Sequence, residues 1–407
     1  MTPRAVFDTR KELRHTVHDL LTGLLLLGLF LAADARLQIS QGASVKIGDL
    51  LACASQGLTL MPRHAEDILL VGIDSQTAAR MKERWPYSRK TFATVIDKLQ
   101  RAGAKAIALD FSFFGGSANP EEDRMLREAL SKNDVVLGAG FGEKGGVVWS
   151  SIPELKVVPR SGIVNKLQDS DGAIRHALTY LVSTNPSMPD TKVFSWELKL
   201  LEASRQVNLA SMEDQGGTLA FKAAGRDLYI PVDPRTKTFT IRFRAHTDDF
   251  ARLSFHQVHE GQFDPAMVKG KIVMIGFLSL LFQDLHQTPI GWLPGLTLNA
   301  NAFLTLHGRD FLRPLPFAVE LIFLIVGLCA GVLLVHFLRP AESLCWLGVA
   351  VAAFFILSCG LYVLGWTWNY ARFPAVVPLV PWMLQWSDTR RQVALQRRVS
   401  ALFSHSR

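Results

Sequence analysis

The sequence predicts an α/β domain with a mostly parallel sheet, placed between membrane-spanning helices. Three observations carry this. Apolar runs occupy residues 20–33, 317–338, 344–365 and 373–386. Short buried-strand runs alternate with amphipathic helical stretches between them. The charge surplus is confined to the flanks of the apolar runs.

The membrane segments come first because they fix the rest. Residues 317–338 and 344–365 are 22 residues each, and a bilayer-spanning helix needs about 20. The first run reaches spanning length as 17–35, at the cost of including Asp19. It reads as an uncleaved anchor, the alternative being a cleaved signal peptide, since basic residues precede it and Ala33-Asp34-Ala35 follows. The fourth, 371–386, carries Pro374, Pro378 and Pro381, which membrane helices tolerate; the alternative is a segment lying in the interface. Residues 1–16 hold Arg4, Arg10, Lys11 and Arg14, and residues 387–407 hold five Arg against one Asp. Positive flanks stay in the cytoplasm. Four spans place both ends and Arg339 inside, and residues 36–312 outside the cytoplasm, as in a multi-pass protein of a bacterial inner membrane.

The net charge of +8 is therefore a topology signal. Residues 34–312 hold 32 basic and 30 acidic residues, so most of the surplus lies beside membrane segments, where it meets anionic lipid. Nucleic acid is not an expected partner. Of four cysteines only Cys53 falls between the first and second runs, which leaves no disulfide there. No Cys/His metal spacing, phosphate loop or nucleophile motif is present, so neither a cofactor nor a metal nor an enzyme activity is expected.

Within 36–312 the run Asp67–Asp74 (DILLVGID) is continuous and apolar, as in a strand covered on both faces. A helix is predicted over Ser88–Arg101, with Ser88 as N-cap and Phe92, Val95, Ile96 and Leu99 on one face. Lys105–Phe111 is a second strand, Glu121–Ser131 a helix and Asp134–Ala139 a third strand. Ala173–Val182, Arg226–Val232 and Thr238–Ala245 read as strands, and Phe194–Ser204 as a helix. Lys271–Gly276 is a late buried strand, and Leu296–Leu306 a helix leading toward the second apolar run. Gly138–Gly142 with Gly145-Gly146 reads as a flexible turn, because no helix pattern follows it.

Parallel strands gather their carboxyl ends on one rim, where ligands bind. Asp74 and Asp110 end successive strands and Asp284 follows the last, which suggests a site for a cation or a hydroxyl-bearing molecule. The alternative is that these residues cap helices or brace loops. Trp85 and Arg89, in Arg84–Arg89 (RWPYSR), either flank the mouth of that site or pack beneath the sheet. Asn299 and Asn301 either bind a ligand or satisfy loop carbonyls.

The ordered series Ile73-Asp74, Trp85-Pro86-Tyr87-Ser88-Arg89, Lys105-Ala106-Ile107-Ala108-Leu109-Asp110-Phe111, Gly276, Asp284, Thr288-Pro289, Pro294-Gly295 and Asn299-Ala300 resembles the type-2 CHASE family. This is the cyclase/histidine-kinase-associated sensory extracellular domain of type two, with one membrane helix before the domain and three after. The resemblance implies a sensor or receptor that passes an extracytoplasmic signal to a cytoplasmic adenylate cyclase or kinase. The 21 residues after 386 hold no catalytic fold, so a separate output partner is expected, or a shortened relative. The expected partners are an extracytoplasmic ligand or envelope protein, that output, membrane lipid and a second copy of the chain. A second class of function is a membrane scaffold binding an envelope protein.

Overall fold

The computed structural model describes residues 9–56, 58, 64–131, 135–141, 147–148, 160–182, 191–279, 284–338 and 340–386. It divides into two compact units, residues 56–312 and the membrane segments on either side of them. Of the flexible turn expected over Gly138–Gly142 and Gly145-Gly146, residues 138–141 instead end a strand; residues 142–146 and the basic tail after residue 386 lie outside the described residues.

The chain opens with α1 (Thr9–Leu37) and α2 (Gln41–Gln56), the second unforeseen in the sequence. The α/β unit then forms in order: β1 (Ile68–Ile73), α3 (Ser75–Arg80), α4 (Arg89–Arg101), β2 (Ala106–Leu109), α5 (Pro120–Ser131), β3 (Val135–Phe141), β4 (Val147–Val148) and β5 (Ser161–Ile163). A middle section of short strands follows: β6 (His176–Leu178), β7 (Tyr180–Val182), β8 (Lys192–Phe194), then α6 (Trp196–Ala203), β9 (Val207–Asp214), β10 (Thr218–Ala223), β11 (Leu228–Pro231) and β12 (Thr238–Thr240). The unit closes with β13 (Ala251–Ser254), α7 (Phe255–Glu260), β14 (Ile272–Phe277), β15 (Leu285–Thr288), β16 (Gly291–Pro294) and α8 (Gly295–His307).

Six strands pair in parallel in the order β13-β1-β14-β2-β3-β5, and β4 adds two antiparallel residues to β3. The crossovers β1 to β2, β2 to β3 and β13 to β14 all advance in the same direction across the sheet. Right-handed crossovers that advance one way lay their helices on one face, and α3, α4, α5 and α7 pack together there. Alternate residues Leu69, Val71, Ile73, Ile107, Leu109, Val135, Leu137, Val273 and Ile275 feed the core beneath them. The opposite face is covered by α6 and α8. Gly162 lets α6 approach: a Cβ there would lie 2.5 Å from the Trp196 Cα.

The expected strand Ala173–Val182 is two strands that pair with different partners, β6 with β12 and β7 with β8. β15 and β16 pair as an antiparallel hairpin, with Pro289-Ile290 as its turn.

In the membrane unit α9 (Phe317–Phe337) and α10 (Pro340–Val363) follow the sequence expectation. Among the described residues three helical stretches are long and apolar enough to cross a membrane: Arg14–Leu37, Phe317–Val335 and Cys345–Val363. The fourth apolar run is helical over Arg372–Val376 and again over 379–386, with a turn at 377–378. Leu27, Leu324, Leu328, Val332 and Val376 form a shared apolar core. Arg372 ties three segments together, its Nε 2.8 Å from Asp34 Oδ2 and its Nη1 3.2 Å from Glu320. Charged groups so placed in an apolar bundle need each other, since an unpaired charge there is costly.

Candidate ligand-binding site

Adjacent strands β2 and β14 send their connections to opposite faces. β2 leads to α5, on the α4 side, and β14 leads through the hairpin to α8. Where connections diverge in this way a crevice opens beyond the strand ends. A cavity of about 560 Å³ lies there. Its walls are Asp110 after β2, Phe277 ending β14, Val164–Lys166 after β5, Asp284 and His286 of the hairpin, and Gly295, Leu298 and Asn299 of α8.

Local sequence explains why Asp110 is free to face the cavity while Asp74 is not. The chain enters α3 directly after β1, and Asp74 becomes its N-cap: Oδ1 accepts from the Thr77 N–H at 2.7 Å and Oδ2 from the Ser254 hydroxyl. After Asp110 a long loop precedes α5, so no helix claims the carboxylate. Its Oδ2 accepts from Asn299 Nδ2 at 2.9 Å. Burial pushes Asp110 up to about 7, the Asp284 charge adding to it, while the Lys166 cation and the Asn299 hydrogen bond act the other way. Lys166 in turn lies 2.7 Å from Glu197 in an ion pair whose side chains are 2% and 0% exposed.

Asp284 is held by backbone economy at the hairpin end. Gly295 N–H donates to its carbonyl at 3.0 Å, and the carboxylate occupies the space that a Cβ on Gly295 would need. His286 Nε2 lies 3.0 Å from Asp284 Oδ1. The two asparagines of α8 separate in role. Asn301 is saturated: Oδ1 accepts from the N–H groups of Arg244 and Ala245, and Nδ2 donates to the carbonyls of Ala245 and Thr297. Asn299 is 3% exposed, and its Oδ1 has no partner among the described residues. A buried polar atom without a partner is uncommon, and it costs free energy until something donates to it.

Of the seven residues singled out in sequence, Asp110, Asp284 and Asn299 therefore meet around one cavity. Asp74 and Arg89 do not line it. Arg89 is buried in an ion pair with Asp123 and donates to the Phe114 carbonyl at 3.0 Å, bracing the loop before α5. Trp85 packs edge-on against Phe277, 4.9 Å between centroids, behind the ring that lines the cavity. Lys166, Glu197 and His286 escaped the sequence reading. Only Glu197 carried a signal there, as a lone acid inside the apolar stretch Phe194–Leu201. The pocket can thus offer two carboxylates, an unmatched amide oxygen, an imidazole and an ammonium group, a set suited to a small molecule rich in N–H or O–H donors.

A membrane unit joined to an α/β unit defines a class, the membrane proteins that carry an α/β domain between their apolar helices. The family model of the CHASE2 domain matches residues 21–333, and the chain belongs to that family. CHASE2 is an extracytoplasmic sensory domain, and the chain is a membrane protein carrying it. No curated protein and no solved structure matches the chain.

Proposed function

We propose that this protein is a transmembrane sensor of a bacterial inner membrane. Its α/β unit faces the extracytoplasmic side and binds a small amine- or hydroxyl-bearing ligand between Asp110, Asp284 and Asn299. Occupancy passes along α8, whose first turn lines the cavity and whose last residue stands ten before Phe317 in sequence, and reaches a cytoplasmic output of the cyclase or kinase type.

The observation that carries this reading is the buried Asn299 Oδ1, without a partner among the described residues, beside a carboxylate pushed up to about 7. Both groups gain when a donor enters. The reading is tested by melting the full-length protein in detergent against a panel of small amines and polyols. A ligand at one hundred times its Kd stabilises by about 2.7 kcal/mol. The expected result is a compound that raises the melting temperature of the parent and not of Asn299→Leu or Asp284→Asn. Compounds that protect all three proteins equally would place binding elsewhere.

A further inference from the structure

We propose that His64, Asp67 and His307 form a second site, for a divalent first-row transition ion of the zinc type, at the end of the sheet opposite the Asp110 cavity. Asp67 stands immediately before β1 and His307 closes α8. His307 Nε2 lies 3.0 Å from Asp67 Oδ2, and His64 Nδ1 lies 3.3 Å from the same oxygen. The three ligand atoms all fall within 4.8 Å of one another. Zinc bonds of about 2.0–2.1 Å in a tetrahedron put neighbouring ligand atoms roughly 3.3 Å apart, and the distances of both histidine nitrogens from Asp67 Oδ2 already match that.

The hydrogen bonds around His307 set its tautomer. Ser204 Oγ donates to the Leu201 carbonyl at 3.0 Å and accepts from Gln206 Nε2 at 2.7 Å. The Gln206 amide is thereby oriented, and its Oε1 meets His307 Nδ1 at 2.6 Å. Nδ1 carries the hydrogen, which leaves the Nε2 lone pair aimed at a carboxylate oxygen. Two acceptors that close require a cation between them. A ring nitrogen held by an outer carbonyl while the other faces inward is how metal-ligating histidines are oriented.

His64 completes the set from a strained position. Its φ of 72° is a left-handed conformation that residues other than glycine seldom adopt, and it brings the ring edge-on to His307 with centroids 4.9 Å apart. Two imidazoles and one carboxylate suit zinc or a neighbouring ion, whereas magnesium and calcium favour all-oxygen sites. Three protein ligands leave a fourth position for water. An ion here would tie the segment entering the α/β unit to the end of the helix that lines the other pocket.

The test uses the full-length, metal-stripped protein in detergent, titrated with Co²⁺ as a coloured stand-in for zinc. One equivalent should give the intense visible bands of tetrahedral cobalt, and Zn²⁺ should displace them. His64→Ala, on an exposed turn, and His307→Gln should each abolish the bands, and Gln206→Leu should weaken binding about 10–100-fold. Bands that survive both histidine substitutions overturn the site. So does their absence from the parent protein, which would leave a proton as the only cation between Asp67 and His307.

Discussion

Asp110 shows how position alone changes the chemistry of one residue type. It shares a strand-end placement with Asp74, yet Asp74 spends its oxygens on a helix cap and on Ser254. Because Asp110 is pushed up to about 7 in the folded protein, the folded state holds a proton that the unfolded chain releases near pH 4. The sign follows: this group's stabilisation is complete below pH 4 and fades as pH rises to about 7, by roughly 4 kcal/mol in all. Asp110→Asn should therefore melt above the parent at pH 8, and the difference should shrink as pH falls through 7 and close only below about pH 4. Thermal melts of both proteins across that range check it. A variant less stable than the parent at pH 8 would contradict the assigned burial. Asp74→Ala serves as the contrast, with a loss of about 1 kcal/mol at every pH in the range from its missing cap.

At the scale of elements, β1, β2, β3 and β14 were legible because each is a short continuous apolar run, the mark of strands covered on both faces. β13 was not: Ala251-Arg252-Leu253-Ser254 lies at the sheet edge with its first two residues exposed, so it needs no apolar run. The pairing order was also invisible, since nothing local tells β14 to insert between β1 and β2. For the cavity, strand-end carboxylates could be read from sequence. Lys166 and His286 could not, because their roles arise only once β5 and the hairpin converge on α8. Gly162 shows how tightly that face is built. Gly162→Ala would drive a methyl into the backbone of Trp196, displace α6 and cost about 3 kcal/mol. Gly217→Ala, whose Cβ would meet nothing closer than 4.0 Å, should cost far less. Denaturant midpoints of the two variants give the comparison, and equal shifts would mean that α6 is not seated on β5.

For the whole molecule, three helices among the described residues have the length and composition to span a membrane, and the fourth apolar run decides on which side residues 387–407 lie. Alkaline phosphatase fused after Arg36 or Arg309 should be active, and fused after Arg339 or Arg391 inactive. Activity at Arg391 would show that the broken helix around Pro378 does not cross, and inactivity at Arg309 would invert the proposed orientation. The Arg372 contacts with Asp34 and Glu320 fit a crossing segment, since they join the fourth run to two of the spanning helices.

The strand order has a consequence for biogenesis. β14 lies inside the sheet, flanked by β1 and β2, yet it is the last of the six parallel strands to be synthesised. Until Ile272–Phe277 emerges, β1 and β2 each present a bare inner edge, and no partial sheet made earlier can be native. Long-range pairing of this kind folds slowly and leaves sticky edges exposed in the meantime. A chain truncated between β3 and residue 272 therefore keeps β1, β2 and β3 but lacks the strand that joins β1 to β2, and should yield an aggregation-prone partial sheet instead of a smaller working domain.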